Sequence, residues 1–255
     1  MTTPRRVLRH WLLILAVPLI ALIWVAYRVH QLRRDVLASV AQCPLNQLML
    51  GLHNYHDVYG SFPPACVKDD RGRPLHSWRV LILPYINEQA LYEQYDFSVP
   101  WNSPHNSRLN DRMPDMFHSC TEVPSKSFAN YVVITGPGTV FPFDGCTKLG
   151  DISDGAENTI LLAEVGSSRV PWLAPIDLPA EEAIRAWTDP SRTGISCVSW
   201  RRPMVVFGDR ITAFSLDRTL APESLRSLTS ISGGEPVTKD QLCEMGLIRR
   251  GAWKE

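Results

Sequence analysis

Three aspartates, Asp144, Asp151 and Asp154, lie close together in a stretch that also contains several glycines. Loop carboxylates placed around glycines are one way in which proteins hold calcium, a cation that prefers oxygen ligands. The spacing does not fit an EF-hand loop, and the favoured alternative is that Asp154-Gly155 forms a plain turn ahead of a strand. The three carboxylates are therefore candidates for a calcium site, with the turn as the competing interpretation.

Two histidines, His53 and His56, lie three residues apart on a predicted helix, with Asp57 beside them. Side chains at this spacing face the same side of a helix and are close enough to share a metal ion. Two ligands on one turn are weak support for a metal site. A position on the helix surface, or packing under the following loop, is the favoured interpretation.

Six cysteines are the third group of residues with chemical potential, and all of them follow an uncharged N-terminal segment. They are Cys43, Cys66, Cys120, Cys146, Cys197 and Cys243. An even number in an exported domain predicts disulfides, for which fifteen connectivities exist. In a cytosolic domain the same residues would be scattered buried thiols. No Cys-x-x-Cys spacing occurs, so we expect no zinc site.

Motifs for the common enzyme chemistries are absent from the sequence. It contains no Gly-x-Ser-x-Gly elbow, no phosphate-binding glycine loop and no dinucleotide fingerprint. We therefore expect neither an enzyme nor a cofactor. Lys plus Arg and Asp plus Glu both number 26, so no long-range field favours nucleic acid as a partner.

The N-terminal segment from Trp11 to Tyr27 contains seventeen residues and no charge, and three arginines flank it on each side. A helix of this length reaches about 25 Å, the short end of what spans a bilayer. Trp11, Trp24 and Tyr27 suit the two membrane interfaces. The segment predicts a single-pass anchor in the lipid bilayer. A cleaved signal peptide is the alternative, but such peptides usually have a shorter apolar region.

The orientation of this anchor does not follow from the flanking arginines, because their number is equal on the two sides. We choose the N-terminus inside, because the mass of the chain and all six cysteines follow the span. The head domain is then expected to be periplasmic or extracellular, with its ligand unknown.

A stripe of apolar residues continues from the anchor at spacings of mostly three and four. Its members are Val29, Leu32, Val36, Val40, Ala41, Leu45, Leu48, Leu52, Tyr55 and Tyr59. Such a stripe predicts an amphipathic helix that packs on a domain. Pro44 is expected to kink it, and Gly60 with Pro63-Pro64 to end it. The predicted organisation is an anchor at 1–28, a spine helix at 29–60 and an exported head at 61–255.

The head combines short helices with later strands, an α+β pattern without βαβ alternation. Two short helices split at Pro84 are predicted within Ser77–Tyr95, and another around Arg108–Arg112. Pro222 suits the start of a helix that ends near Ser230, and Thr238 is expected to cap a final helix. The strand candidates are Asn130–Thr135, Thr159–Val165, Ile195–Trp200, Met204–Phe207 and Ile211–Leu216, the last two forming a hairpin.

The segment from Cys43 to Pro64 is characteristic of a known family. Its sequence is CPLNQLMLGLHNYHDVYGSFPP. This segment closely resembles the opening of a planctomycete family, domain of unknown function 1559, whose members carry a pilin-like N-terminal helix. Further segments agree with the family. They are Pro74–Tyr85, Glu88–Tyr92, Tyr95–Ser98, Asn130-Tyr131, Asp151–Gly155, Asn158–Ile160 and Met204–Leu216.

The resemblance implies a pilin-like fold, in which a long transmembrane and amphipathic helix packs on an antiparallel sheet. Cys43 and Cys120 occupy positions where the family has cysteines, which favours that pair as a disulfide. Cys146 and Cys197 are the further disulfide candidates.

The chain departs from the family at two places. Residues 1–27 contain neither Gly nor Glu, so the prepilin peptidase site of many members is missing. Near the C-terminus, members tend to carry His, nine residues, then Asp-Gly. In this chain Asp209 occupies the position of the motif's Asp. Ser199 replaces the motif's His, and Arg210 replaces its Gly.

Two functions are consistent with these observations. The first is a pilin-like envelope protein with a structural or interaction role that associates with similar chains through its N-terminal helix. The alternative is a tethered binding module for a peptide, a glycan or calcium.

Overall fold

The computed structural model is a mixed α+β structure. It describes residues 21–29, 44–119, 125–198, 202–209, 213–234 and 237–251. The α+β class expected from the sequence is confirmed. Its strands are β1 Cys66–Lys68, β2 Pro74–Ser77, β3 Phe128–Ala129, β4 Tyr131–Thr135, β5 Ile160–Glu164, β6 Val170–Pro171, β7 Leu178–Pro179, β8 Met204–Phe207, β9 Ala213–Leu216 and β10 Ile248–Arg250.

The main sheet has six strands in the order β10-β9-β8-β5-β4-β7. Neighbours from β10 to β4 are antiparallel, whereas β7 runs parallel to β4. The antiparallel sheet predicted from the sequence is therefore corrected to a mixed one. A parallel neighbour needs a long crossover, and the residues between β4 and β7, which include β5 and β6, supply it. β1 pairs with β2, and β3 with β6, in two further small sheets.

The central strands are buried on both faces and separate two hydrophobic cores. In β4, Tyr131 and Val133 point into one core, while Val132 and Ile134 point into the other. This alternation follows from the two-residue period of a strand. Because both faces are covered, helices and loops must lie on either side of the sheet.

Helices pack on both faces of the main sheet. The α-helices after residue 43 are α1 at 44–59, α2 Trp78–Leu81, α3 Gln89–Tyr92, α4 Ala180–Thr188, α5 Pro222–Thr229 and α6 Lys239–Glu244. The 3₁₀ helices are Leu83–Ile86, Asn106–Arg112, Asp115–Phe117, Leu149–Asp151 and Ala156–Asn158. α1 contributes to the first core, and α4, α5 and α6 contribute to the second.

The C-terminal helices agree with the sequence in detail. α5 begins at Pro222, where the missing backbone donor would have had no helical partner. α6 has Thr238 as N-cap, and its hydroxyl accepts from the Gln241 N–H at 3.3 Å. The side chain of Gln241 accepts from the Thr238 N–H in return, which completes a capping box. These two helix predictions are confirmed.

The predicted strand at Ile195–Trp200 is wrong for residues 195–198, which lie in a loop. Among residues 195–198, Ser196 pairs with the end of β5: its N–H donates to Glu164 O and its carbonyl accepts from Gly166 N–H, both at 2.9 Å. Two hydrogen bonds at a single residue do not make a ladder.

The predicted N-terminal anchor and spine helix fall only partly within the described residues. Residues 21–29 are helical, whereas 11–20 of the predicted span and 30–43 of the predicted spine lie outside. Within the ranges that the structure describes, no helix is both long enough and apolar enough to span a bilayer. α1 begins at Pro44, so the kink predicted there also involves residues outside the described part.

Candidate functional sites

Asp177 lies at the centre of a buried polar cluster between α2 and β4. Its Oδ1 lies 2.7 Å from Arg79 Nη2, and the two side chains are 2% and 0% exposed. The carboxylate also accepts from the indole N–H of Trp78 and from the backbone N–H of Val133, each at 3.1 Å. Burial raises the pKa of Asp177, and the Arg79 guanidinium opposes that shift.

Arg79 is held from several directions at once. Its Nη2 donates to the carbonyl of Tyr131 at 3.1 Å, and its Nη1 donates to Ser77 Oγ at 3.2 Å. The guanidinium carbon lies 4.8 Å from the centroid of the Trp78 ring. Breaking a buried, hydrogen-bonded ion pair by removing one partner is strongly destabilising. This cluster therefore ties α2 to the sheet.

The Arg79–Asp177 pair is not predicted by the sequence patterns above, although one signal for it is present. Arg79 stands inside the apolar run SWRVLIL, where a lone charge must find a buried counter-charge. The identity of that partner could not be deduced, because Asp177 is 98 residues away.

Four tyrosines from α1 and the neighbouring short helices share one part of the surface. The rings of Tyr55 and Tyr59 lie 4.3 Å apart, and those of Tyr55 and Tyr85 lie 6.0 Å apart. Burial, followed by the nearby Cys146 and the neighbouring tyrosines, raises the pKa of Tyr55 to about 12. Tyr92 completes the cluster. Aromatic side chains with one polar end are typical of interaction surfaces.

Asp209 forms a buried ion pair with Lys239 of α6. The two side chains are 8% and 7% exposed. The Lys239 ammonium also lies 4.9 Å from the Phe214 ring centroid and 5.3 Å from that of Phe207. A cavity of about 610 Å³, with Arg250 on its lining, opens beside the pair. Asp209 therefore connects α6 to the end of β8.

Two of the predicted calcium ligands have other partners. Asp144 Oδ1 lies 2.6 Å from Lys68 Nζ, in a pair that is largely open to solvent. Asp151 Oδ2 accepts from the backbone N–H of Lys148 at 2.9 Å, within the turn that starts a 3₁₀ helix.

The third calcium candidate, Asp154, accepts from the backbone N–H groups of Gly233 and Gly234 at 2.6 and 3.1 Å. The described residues contain no group of three or more His, Cys, Asp or Glu side chains that could hold a metal ion. The structure therefore does not bring the three predicted calcium ligands together, because each carboxylate is bound to a different part of the chain. Gly155 adopts a positive φ of 89°, as the turn interpretation requires.

The two histidines contribute to packing on α1. His53 is 1% exposed, and its ring centroid lies 5.4 Å from that of Phe62. His56 Nε2 accepts from the Leu149 N–H at 3.0 Å. Their shared helix face is confirmed, and it is used to hold the loops above α1.

The predicted disulfides can be compared with the structure only at the cysteines that it describes. Cys146 is an exposed free thiol in a loop beside Tyr55, and the disulfide predicted at this position is not seen. Cys43 and Cys120 lie outside the described residues, and pairing at Cys43, Cys120 and Cys197 stays a prediction.

Cys66 and Cys243 are free thiols, half-buried. Burial raises the pKa of both, which lowers the fraction of reactive thiolate.

The fold and its sites define a class of protein in which an amphipathic helix packs on one side of a mixed sheet, beside a cluster around a buried Arg–Asp pair. Within that class, residues 41–141 match the family model described as "Protein of unknown function (DUF1559)". The resemblance seen in the sequence is thereby confirmed over this stretch. No curated protein and no solved structure matches the chain.

Proposed function

We propose that this protein is a membrane-anchored envelope protein with a structural or interaction role, whose α+β head is attached to the bilayer by its N-terminal helix. The observation that carries the proposal is the helical stretch 21–29. Its apolar side chains, among them Leu22, Trp24 and Val25, are between 49% and 66% exposed. The proposal assigns the chain no catalytic activity.

Exposed apolar surface of this kind is unfavourable in water, because each Å² costs about 25 cal/mol. A bilayer removes that cost. The neighbouring residues 11–20 extend the uncharged stretch, and Arg28 lies 5.9 Å from the Trp24 ring centroid, an arrangement suited to a membrane interface. The apolar side chains of residues 21–29 therefore favour contact with lipid over contact with water.

The test is membrane extraction of the full chain after expression in a bacterial host. We expect the wild type to stay with the membrane after an alkaline carbonate wash. The double variant Ile23→Asp/Val25→Asp should be released, because two carboxylates in hydrocarbon are costly. The control Val58→Asp places one carboxylate on an exposed position of α1 and should stay membrane-bound. Release of the wild type would contradict the proposal.

Cys146 tests the expected periplasmic or extracellular location of the head. Its exposed thiol should react with a membrane-impermeant maleimide in intact spheroplasts, and Cys146→Ser should lose that signal. Labelling that requires lysis would place the head in the cytoplasm. Self-association through the N-terminal helix would be seen as cross-linked dimers that the double variant lacks.

A tethered module for a peptide or a glycan is the second candidate, and the tyrosine cluster around Tyr55 favours it. Aromatic-lined surfaces bind extended, proline-rich segments. Binding should raise the melting temperature by mass action, and Tyr59→Ala should remove that shift for any proline-rich peptide that produces it in the wild type.

A further inference from the structure

A pocket of about 330 Å³ lies in the second half of the chain. The loop 190–198 forms one wall, the turn after β5 forms another, and Arg218, just after β9, completes it. The volume is at the small end of the range in which proteins bind small molecules, about 300 to 1,000 Å³. None of the candidate residues from the sequence analysis apart from Cys197 contributes to it.

Arg218 is oriented by an aromatic ring. Its guanidinium carbon lies 4.6 Å from the centroid of the Trp187 ring on α4. The indole N–H of Trp187 donates to the carbonyl of Leu220 at 2.8 Å, so the ring is itself fixed in the core. Stacking on a fixed ring restricts the guanidinium while leaving its N–H groups available at the edges.

Arg218 has no carboxylate partner among the residues that the structure describes. A second arginine on the same pocket, Arg192, shows the contrast, because it pairs with Glu182 at 2.9 Å and Asp189 at 3.4 Å. Burial lowers the pKa of Arg218, which reflects partial loss of solvent around the group. The side chain nevertheless stays protonated at any physiological pH. A partly desolvated cation without a counter-charge favours the arrival of an anion.

The walls of the pocket are held by close backbone approaches. A Cβ at Gly194 would lie 2.3 Å from Ala186 Cβ, and one at Gly166 would lie 3.1 Å from the carbonyl carbon of Cys197. Only glycine allows these approaches without displacement. Ser167 adopts a φ of 52°, which is uncommon for a residue other than glycine. Strained backbone of this kind is concentrated at functional sites.

We propose that this pocket binds an oxyanion, the carboxylate or phosphate group of a small ligand, through the guanidinium of Arg218. The planar fork of arginine donates two parallel hydrogen bonds to either group. Thr193 lines the same pocket, and a threonine hydroxyl is a possible further donor. The inference goes beyond the proposed function and is independent of how the chain is attached to the membrane.

The experiment uses the purified full chain in mild detergent, titrated separately with inorganic phosphate and with succinate at constant ionic strength. We expect at least one of the two anions to bind in equilibrium dialysis, and the affinity to fall at least tenfold in Arg218→Gln. Phosphate and succinate distinguish the two classes of ligand. Binding of neither anion would overturn the inference.

Arg185→Gln is the matched control, because Arg185 is an exposed arginine on α4 that does not line the pocket. It should bind as the wild type does. Equal weakening in the two variants would show that only general charge matters, and would overturn the inference. Arg218→Lys keeps the charge but loses the fork, so an intermediate affinity is expected, and far-UV circular dichroism verifies that each variant is folded.

Discussion

Two arginine–tryptophan pairs in this protein have nearly the same geometry and different surroundings. Arg79 lies 4.8 Å from the Trp78 ring, and Arg218 lies 4.6 Å from the Trp187 ring. The side chain of Arg79 is fully buried and paired with Asp177, whereas Arg218 lines a pocket and remains partly open to solvent. Stacking on a tryptophan therefore does not by itself determine the role of an arginine. The presence of a counter-charge and the degree of burial determine it.

The two pairs also differ in their relation to the family. Arg79 lies within the matched residues 41–141, and Arg218 lies beyond them. The first pair belongs to the part of the chain that resembles known sequences. The pocket around the second pair lies outside the matched residues.

The largest expected effect comes from removing the counter-charge of the buried pair. Asp177→Asn should lower the free energy of unfolding by about 3 to 5 kcal/mol, because the Arg79 charge stays buried without its partner. Asp144→Asn, in the solvent-open pair with Lys68, is the control and should change it by less than about 1 kcal/mol. Urea denaturation measures both. Similar losses in the two variants would remove the distinction between a structural pair and a surface pair.

The next effect tests the rigidity of the pocket around Arg218. Gly194→Ala should destabilise the protein by about 1 to 3 kcal/mol, since its Cβ would overlap Ala186. Gly150→Ala has open space around the added carbon and should stay within about 0.5 kcal/mol of the wild type. Thermal unfolding compares the two. A neutral Gly194→Ala would mean that the pocket wall yields easily.

The region around Arg79 should also respond to pH. Burial lowers the pKa of His76 below its ordinary value of 6.5, and its Nδ1 lies 2.9 Å from the hydroxyl of Tyr95. Below pH 6.5 the unfolded chain binds a proton that the native imidazole does not, so stability falls as the pH falls. The slope for one such group is at most about 1.4 kcal/mol per pH unit.

His76→Asn should flatten this slope between pH 6.5 and 5, as measured by urea denaturation at several pH values. His105→Asn, with an exposed ring, is the control and should keep the wild-type slope. An unchanged slope in His76→Asn would assign the pH dependence to another group.

The smallest effect on stability is expected at Arg218. Arg218→Gln should cost less than about 1 kcal/mol, because an exposed cation–π contact contributes only about 0.5 to 1 kcal/mol. Its effect on anion binding should be at least tenfold, so stability and binding separate at this residue. A loss of stability as large as that of Asp177→Asn would mean that the second pair is structural as well.

Local signals in the sequence were sufficient for several elements. The apolar stripe of α1 buries Leu45, Leu48 and Leu52 as its periodicity requires. α6 has its capping box, α5 starts at its proline, and β8 with β9 forms the expected antiparallel pair. Each of these follows from residues a few positions apart, whose interactions are local.

The sites were decided by tertiary structure. Asp177 reaches Arg79 across 98 residues, and β7 joins β4 in parallel through a long crossover that no local pattern encodes. The three aspartates proposed as calcium ligands are neighbours in sequence, yet each carboxylate has a different partner in space. Sequence spacing describes which groups are available, and only the packing of distant elements selects the charges that meet.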